Sequence, residues 1–184
     1  MATIETARLR LRPFAMNDLD ALHQQIYSEA EVMRYLPGGQ PRPRDETEVV
    51  LSEFIAHEVR HGYTIDAVID KRSGQFMGMC GLFVLKEDGA VEIAYALGQS
   101  FWGQGYTTEA AVAVLRYGFE TIGLQRIIAL AVPENIASQR VMQKIGMQHQ
   151  GTTHRYYNTD LVLYTLASES FVPDDSLYIV TALT

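Results

Sequence analysis

The sequence of 184 residues predicts one domain of the α+β (mixed α/β) class, built on a mixed sheet with helices on both faces. Strand-like and helix-like segments alternate along the whole chain. Three consecutive strands in its middle are joined by tight turns, which indicates antiparallel neighbours. No apolar run approaches the ~20 residues that span a bilayer, so we expect no membrane partner. The predicted order of elements is βααβββαβαββ.

Strands are predicted wherever short runs are rich in apolar and β-branched residues and end at turn residues. The first alternates arginine with leucine, so one of its faces is wet. Turns at 71–74 and 86–89 join the three central strands. In chain order the predicted strands cover residues 6–13, 63–69, 75–85, 91–97, 126–132, 147–152 and 161–167.

Four helices are predicted between these strands, and each boundary has a chemical reason. Asn17 or Asp18 can cap a helix that runs to about residue 28. A loop rich in proline and glycine at 37–43 precedes a helix over 45–61, which Gly62 ends. The third helix follows a glycine turn and runs to about residue 121. The fourth covers 135–145 between the possible cap Asn135 and the stop Gly146.

Composition limits the classes of partner. The net charge of −7 argues against charge-driven binding of nucleic acid and mildly favours a cationic substrate such as an amine. The single cysteine, Cys80, cannot form an intramolecular disulfide and suits a reducing cytoplasm. Its apolar neighbours indicate a small buried side chain rather than a nucleophile. The first residues lack the pattern of a signal peptide.

Residues 102–110 form a glycine-containing turn between the predicted strand 91–97 and a helix. The first amides of a helix have no intrahelical acceptor, and the helix dipole places positive charge beside them. The turn aims these donors at one spot. This segment therefore predicts a seat for the phosphate oxygens of a phosphorylated cofactor.

Two further segments, 8–13 (Arg-Leu-Arg-Leu-Arg-Pro) and 135–147, accompany this turn in the right order. With the order of elements, they resemble the RimJ/RimL-type subgroup of the GNAT superfamily of acyl-CoA-dependent N-acetyltransferases. The resemblance implies a mostly antiparallel sheet of six to seven strands, splayed in the middle. It implies an acetyltransferase domain over 1–167. Residues 168–184 would be an extension, whose segment 177–183 has the composition of an extra strand.

The resemblance also implies how acetyl-CoA, the co-substrate, is held without a metal. The loop of this superfamily binds diphosphate through backbone amides, and Trp102 and Thr107 stand here where Gln/Arg and Gly/Ala are usual. The strand 91–97 would bond the pantetheine arm as a neighbouring strand does. The implied contacts with the cofactor are Tyr95, Ala96, Leu97, Gln104, Gly105, Tyr106, Thr107, Thr108, Asn135 and Ser138.

Two catalytic residues are expected. Glu92 stands where several family members have a general base, and it would share a strand face with two alanines that leave room. His154 and Tyr156 are weaker alternatives. Many members carry a tyrosine as acid seven residues after the asparagine, but Met142 cannot donate a proton. Ser138 is therefore expected to stand in. The hydroxyl of Tyr106 or Tyr164 is an alternative, as is departure of the thiolate without protonation.

The predicted reaction is acetyl transfer to a primary amine that attacks the thioester directly in a ternary complex. The amine would belong to a protein N-terminus or to a small molecule. A non-catalytic CoA-binding sensor or subunit stays open because of Met142. His57, Glu58 and His61 match the HExxH zinc motif, but no third ligand follows, so we interpret them as a polar helix face. The apolar tail makes a homodimer plausible.

Overall fold

Nine strands lie within residues 2–182, the part of the chain that the computed structural model describes. The strands pair into one sheet in the order β7-β8-β6-β5-β4-β3-β2-β1-β9. Their bounds are β1 Ala2–Glu5, β2 Leu9–Pro13, β3 Ile65–Asp70, β4 Phe76–Val84, β5 Val91–Leu97, β6 Arg126–Ala131, β7 Gln148–Thr153, β8 Leu161–Ala167 and β9 Ile179–Ala182.

The helices lie between the strands in the predicted order. Their bounds are α1 Leu19–Leu22, α2 Ala30–Met33, α3 Arg44–His61, α4 Tyr106–Arg116 and α5 Ile136–Lys144. α3 ends at Gly62, whose φ of 79° is the left-handed conformation expected of a helix stop. α4 continues into a π-helical turn, Tyr117–Ile122, so the helical segment extends to about residue 121 as predicted.

The sheet separates two hydrophobic cores. On one face, α4 and α5 pack against side chains such as Leu11, Cys80 and Ile93. On the other face, α1, α2 and α3 pack against residues such as Ile65 and Met79. Cys80 is buried, and burial raises the pKa of its thiol, so the prediction that it is a packing residue is confirmed.

The sheet opens between its two middle strands. β4 and β5 pair along their whole length, from Gly78 with Leu97 to Val84 with Val91. By contrast, β5 and β6 are the parallel pair, and only Glu92 and Ile128 are in register there. The strands diverge beyond this point toward the carboxyl end of β5. The expected mostly antiparallel sheet with a central splay is thus confirmed.

The edge of the sheet differs from the prediction. The expected first strand, 6–13, is a hairpin turn at Thr6 followed by β2, and a further strand, β1, precedes the turn. The turn is closed because the amide of Thr6 donates to the carbonyl of Leu9 at 2.9 Å. The extra strand expected within 177–183 is present as β9, which pairs with β1. The sheet therefore has nine strands rather than six or seven.

The expected first helix is broken in the structure. It begins as a 3-10 turn, Met16–Asp18, continues as α1, and passes into a π-helical turn, His23–Tyr27. Within residues 2–182, no helix has the length and apolar character that crossing a bilayer requires.

Candidate active site

The glycine turn leads directly into α4. Gly105 is the N-cap of α4 and has a φ of 81°, a left-handed conformation that glycine adopts without strain. The first intrahelical bond runs from Glu109 N to the carbonyl of Gly105 at 3.0 Å. Among residues 2–182, no acceptor is recorded for the amides of Tyr106, Thr107 and Thr108. These amides point outward near the end of β5, and the positive end of the helix dipole lies at the same place.

An arginine from the first hairpin fixes this turn from behind. Arg8 Nε donates to Glu109 Oε2 at 2.6 Å, and Arg8 Nη1 donates to the carbonyl of Gln104 at 3.1 Å. The Arg8 guanidinium also lies 4.1 Å from the centre of the Tyr106 ring. The hydroxyl of Thr6 donates to Glu109 Oε1 at 2.6 Å. The sequence pattern indicated Arg8 only as part of a strand, so this role was missed.

The backbone of β5 offers hydrogen bonds into the splay at alternate residues. Gly98 N donates to the carbonyl of Met77 at 2.9 Å, so Gly98 is paired with β4. Because peptide groups alternate along a strand, those of Tyr95 and Leu97 face away from β4 and those of Ala96 face it. The expected backbone contact from Ala96 is therefore corrected: Ala96 contributes a small side chain. The carbonyl of Leu97 accepts a hydrogen bond from Trp102 Nε1 at 2.7 Å, so the amide of Leu97 is the group that remains to bond a ligand.

The start of α5 lies across the splay from β5. Asn135 caps the helix, because its Oδ1 accepts from the amide of Ser138 at 3.1 Å. The hydroxyl of Tyr95 lies 3.1 Å from Ser138 Oγ and 3.2 Å from the carbonyl of Ser138. A phenol on β5 and a hydroxyl on α5 therefore meet at one place. The chemistry of Tyr95 was not foreseen from the sequence, which indicated only its backbone.

The other hydroxyls considered as acids are engaged elsewhere. Tyr164 is buried, and its hydroxyl lies 3.3 Å from Gln143 Nε2 and 3.5 Å from Gln139 Oε1. Tyr106 lies beneath the guanidinium of Arg8. Met142 is 1% exposed and packs in the core below α5. Ser138 and Tyr95 are thus the hydroxyls that the geometry favours.

Glu92 is a buried carboxylate on the face of β5 opposite the one that carries Tyr95. Its cross-strand partner Phe83 packs against the core formed by α1, α2 and α3, as do Ala94 and Ala96. The expected shared face of Glu92 and the two alanines is therefore present. Glu92 is 5% exposed. Burial raises the pKa of Glu92 to about 7, although a hydrogen bond from Tyr157 acts in the opposite direction.

The loop between β7 and β8 carries both alternatives to Glu92 as base, and it also supplies a hydrogen-bond partner of Glu92. His154 is exposed and lies 3.0 Å from Asp160. The Tyr156 hydroxyl donates to Asp88 Oδ2 at 2.8 Å. Both alternative bases are therefore engaged by aspartates of the same region, and neither touches Glu92. Instead, the Tyr157 hydroxyl donates to Glu92 Oε2 at 2.6 Å. A tyrosine in an irregular loop carries no periodic signal that would distinguish it.

The HExxH segment has a structural role. His57 Nδ1 donates to the carbonyl of Tyr63 at 2.9 Å, and His57 Nε2 accepts from the amide of Val84 at 2.9 Å. Both ring nitrogens are therefore used to join α3 to the sheet. Burial lowers the pKa of His57, which favours this neutral form. Residues 2–182 contain no cluster of three acidic, histidine or cysteine side chains that could hold a metal ion.

The site fits coenzyme A at three separate points. Outward amides at the start of α4 suit the diphosphate, open peptide groups on β5 suit the pantetheine arm, and the splay leads to the hydroxyls of Tyr95 and Ser138. A buried carboxylate, Glu92, lies on the other face of the same strand. Fold and site together define an acyltransferase that uses an acyl-CoA donor.

Comparison with known proteins agrees with this class. The family model described as an acetyltransferase (GNAT) domain matches residues 8–148. The uncharacterized N-acetyltransferase YnaD of Bacillus subtilis is 34% identical over 148 residues, covering 80% of this chain and 84% of the relative. The chain belongs to the GNAT acetyltransferase family. It is an acyl-CoA-dependent N-acetyltransferase whose acyl donor is acetyl-CoA.

Solved structures give the same fold. A GNAT-family acetyltransferase from Bacillus anthracis has a TM-score of 0.77 and 29% identity, covering 91% of this chain and 99% of that one. RimL, a ribosomal L7/L12 α-N-protein acetyltransferase solved in complex with coenzyme A, has a TM-score of 0.73 and 20% identity. The match covers 88% of this chain and 95% of the RimL chain.

Proposed function

We propose that the protein transfers the acetyl group of acetyl-CoA to a primary amine, with Glu92 as general base and direct attack of the amine in a ternary complex. The observation that carries this proposal is the buried carboxylate on the strand that lines the splay. Acetyl-CoA supplies the activated acyl group as a thioester. No nucleophilic side chain is needed, and the one cysteine, Cys80, is buried in the core.

Glu92 is suited to take a proton from the acceptor. An amine is mainly protonated at neutral pH, because α-amines have pKa values near 8 and alkylamines near 10. A base is most effective when its pKa lies close to the working pH. Burial gives Glu92 such a pKa, about 7. At pH values above this pKa the carboxylate is ionised and can accept the proton of the amine.

The proton for the departing thiolate is assigned to the hydroxyl pair. Ser138 stands at the start of α5, and Tyr95 lies within 3.1 Å of its Oγ. Because each hydroxyl can donate and accept, Ser138 can donate a proton outward and recover one from Tyr95. This pair compensates for Met142, which occupies the position where many family members have a tyrosine.

We propose a protein N-terminal α-amine as the acceptor, with small-molecule amines as the alternative class. The likeness to RimL, which acts on the α-amine of ribosomal L7/L12, supports this choice only through the shared fold. The net charge of −7 favours the approach of cationic amines of either class. The implied cofactor contacts are proposed to be the amides of Tyr106, Thr107 and Thr108, the backbone of Tyr95 and Leu97, and Asn135.

The first experiment compares the wild type with Glu92→Gln. Acetyl-CoA is mixed with peptides beginning with serine or alanine and with small amines, and free thiol is followed. We expect acceptor-dependent thiol release by the wild type and a loss in kcat of about a hundredfold or more in the variant. Coenzyme A binding, measured by calorimetry, should be unchanged.

The matched control is Glu169→Gln, which alters an exposed acid in the 3-10 turn after β8. Its activity should stay within about threefold of the wild type. Equal activity of the wild type and Glu92→Gln with the preferred amine would refute the assignment of Glu92 as base.

A further inference from the structure

The hydrogen bond between Tyr157 and Glu92 joins the surface to a buried group. Glu92 is 5% exposed, whereas Tyr157 is 41% exposed. The 2.6 Å bond to Oε2 is the one recorded for the Glu92 carboxylate within residues 2–182. Oε1 has no recorded protein donor in that range. The phenol therefore covers one carboxylate oxygen from the solvent side and leaves the second available.

The backbone at this tyrosine is held in an unusual conformation. Tyr157 and Asn158 have φ values of 56° and 52°, which is the left-handed region. For a tyrosine this conformation is uncommon and costs free energy, so it persists only where the surrounding structure enforces it. Such positions concentrate at functional sites.

The loop before Tyr157 is anchored to the hairpin that carries Glu92. Tyr156 is buried in a small apolar cluster with Ile128 and Leu161. The Tyr156 hydroxyl and Arg155 Nη1 both donate to Asp88 Oδ2, at 2.8 Å and 2.7 Å. Asp88 lies in the turn between β4 and β5. The loop is thus anchored immediately before Tyr157, and the phenol is placed over the carboxylate.

On the basis of the proposed role of Glu92, we infer that Tyr157 is a positioning residue, which holds Glu92 Oε2 and leaves Oε1 to receive the proton of the acceptor amine. A phenol is a neutral donor, so it stabilises the charged carboxylate over the protonated acid. The other titratable groups near the pair are Glu87 in the preceding turn, Tyr27, and Tyr95 on the other face of β5. Glu87 acts against ionisation of Glu92, because it carries the same charge.

The variant Tyr157→Phe isolates the hydroxyl, since the ring and its cover over Glu92 remain. Tyr156→Phe is the matched control, because it removes the neighbouring phenol, which contacts Asp88 and not Glu92. The Arg155–Asp88 bond and the buried ring at position 156 still anchor the loop in this variant. Glu92 is observed directly by carbon-13 NMR in protein labelled at the glutamate carboxyl carbon. The resonance that disappears in Glu92→Gln is assigned to Glu92, and no acceptor is required.

We expect Glu92 to titrate near pH 7 in the wild type and in Tyr156→Phe. In Tyr157→Phe the midpoint should rise by about one pH unit. The apparent pKa of the acid side of the kcat/KM profile should rise by the same amount. The variant should therefore lose about tenfold in kcat/KM at pH values below this pKa and much less above it. Melting temperatures, measured on all variants, identify any that is not folded.

The outcomes separate this inference from the proposed function. An unshifted midpoint in folded Tyr157→Phe, or a loss of activity that is equal at every pH, would overturn the role of Tyr157. If Glu92→Gln keeps wild-type activity while the NMR shift occurs, the contact is real but Glu92 is not the base. In that case the proposed function fails, and the inference about catalysis fails with it.

Discussion

Buried carboxyls differ in what holds them. Glu92 has a phenol donor and a site to serve, whereas Asp66 on β3 is 8% exposed and lines a small cavity together with Glu58. Burial and the nearby charge of Glu58 raise the pKa of Asp66 well above its usual value. The folded state therefore binds the proton of Asp66 more tightly than the unfolded state does.

This difference predicts how stability depends on pH. The contribution of Asp66 is fully present below the unfolded pKa of about 4 and is lost as pH rises through the higher folded pKa. Asp66→Asn should therefore melt at a higher temperature than the wild type at pH 8, by about 2–4 °C for each kcal/mol recovered. The advantage should disappear near pH 3 in thermal unfolding followed by circular dichroism.

Asp70, at the end of the same strand, provides a control of opposite sign. Backbone hydrogen bonds from Ser73 and Arg72 lower the pKa of Asp70. Its contribution is present above the unfolded pKa and is lost as pH falls. Asp70→Asn should thus be less stable than the wild type at pH 8, and equal changes in both variants would contradict the argument.

Single residues were predictable from the sequence only where a pattern or a resemblance pointed to them. Glu92 was indicated by the family resemblance and by the alternation of one strand, which places it beside two alanines, and that face is present in the structure. Tyr157 and Arg8 were missed because each acts through a contact between distant segments. Local periodicity contains no information about which loop residue meets a carboxylate 65 positions away in the sequence.

At the level of elements, the start of α4 depends on the first hairpin. Glu109 receives Arg8 Nε, the Arg8 amide and the Thr6 hydroxyl, so one carboxylate joins the hairpin to the helix. Arg8 adds a bond to the carbonyl of Gln104 inside the loop. The orientation of the proposed diphosphate amides is therefore set by residues about 100 positions earlier.

Replacing this arginine should weaken cofactor binding selectively. The ammonium introduced by Arg8→Lys cannot bond both Glu109 and Gln104 with the planar geometry of a guanidinium, nor stack equally on Tyr106. We expect the KM for acetyl-CoA to rise about three- to tenfold, with kcat changed by less than about twofold. Steady-state kinetics with varied acetyl-CoA measures both values.

Arg10→Lys is the matched control, because Arg10 belongs to the same hairpin and pairs with Glu5 at 3.0 Å on the surface. Its KM should stay at the wild-type value. An equal rise in both variants would indicate a general effect of the hairpin and not a role of Arg8 at the loop.

The elements themselves were predicted unequally. β5 and α3 follow the expected ranges closely, since each has a strong pattern bounded by glycine or turn residues. β1 was missed because Thr6 continues the alternation of the next strand, although its backbone forms the turn of a hairpin. The first helix was predicted as one segment, and tertiary packing over the sheet divides it into tighter and wider turns.

Across the whole molecule, the candidate active site and the pairing of β9 with β1 lie at separate positions in the sheet. The splay lies between β5 and β6, and β9 lies at the far edge beyond β1. Resemblance to a family was sufficient to predict the splay. It could not predict the edge, because pairing of β9 with β1 is a contact between the two ends of the chain.

The position of the tail leads to a prediction about residues 172–184. Tyr178 lies 4.6 Å under the guanidinium of Arg116, and Val180 packs against the core on the α4 face. Removing this segment should lower Tm by roughly 3–10 °C, since apolar contacts and the pairing with β1 are lost. The KM for acetyl-CoA and kcat should stay within about twofold, because the splay lies several strands away.

Removing residues 172–184 would expose the edge of β1 and should therefore also change how the protein associates. An unpaired strand edge presents free amides and carbonyls to other chains. Size-exclusion chromatography should therefore show more self-association in the shortened protein than in the full chain. Tyr178→Ala is a milder variant, which removes the contact with Arg116 and keeps the rest of the tail. Val172→Ala is its control, because Val172 is 85% exposed. If the shortened protein kept its melting temperature but lost acetyl-CoA binding, the tail would belong to the site, and its assignment as a closing strand would be wrong.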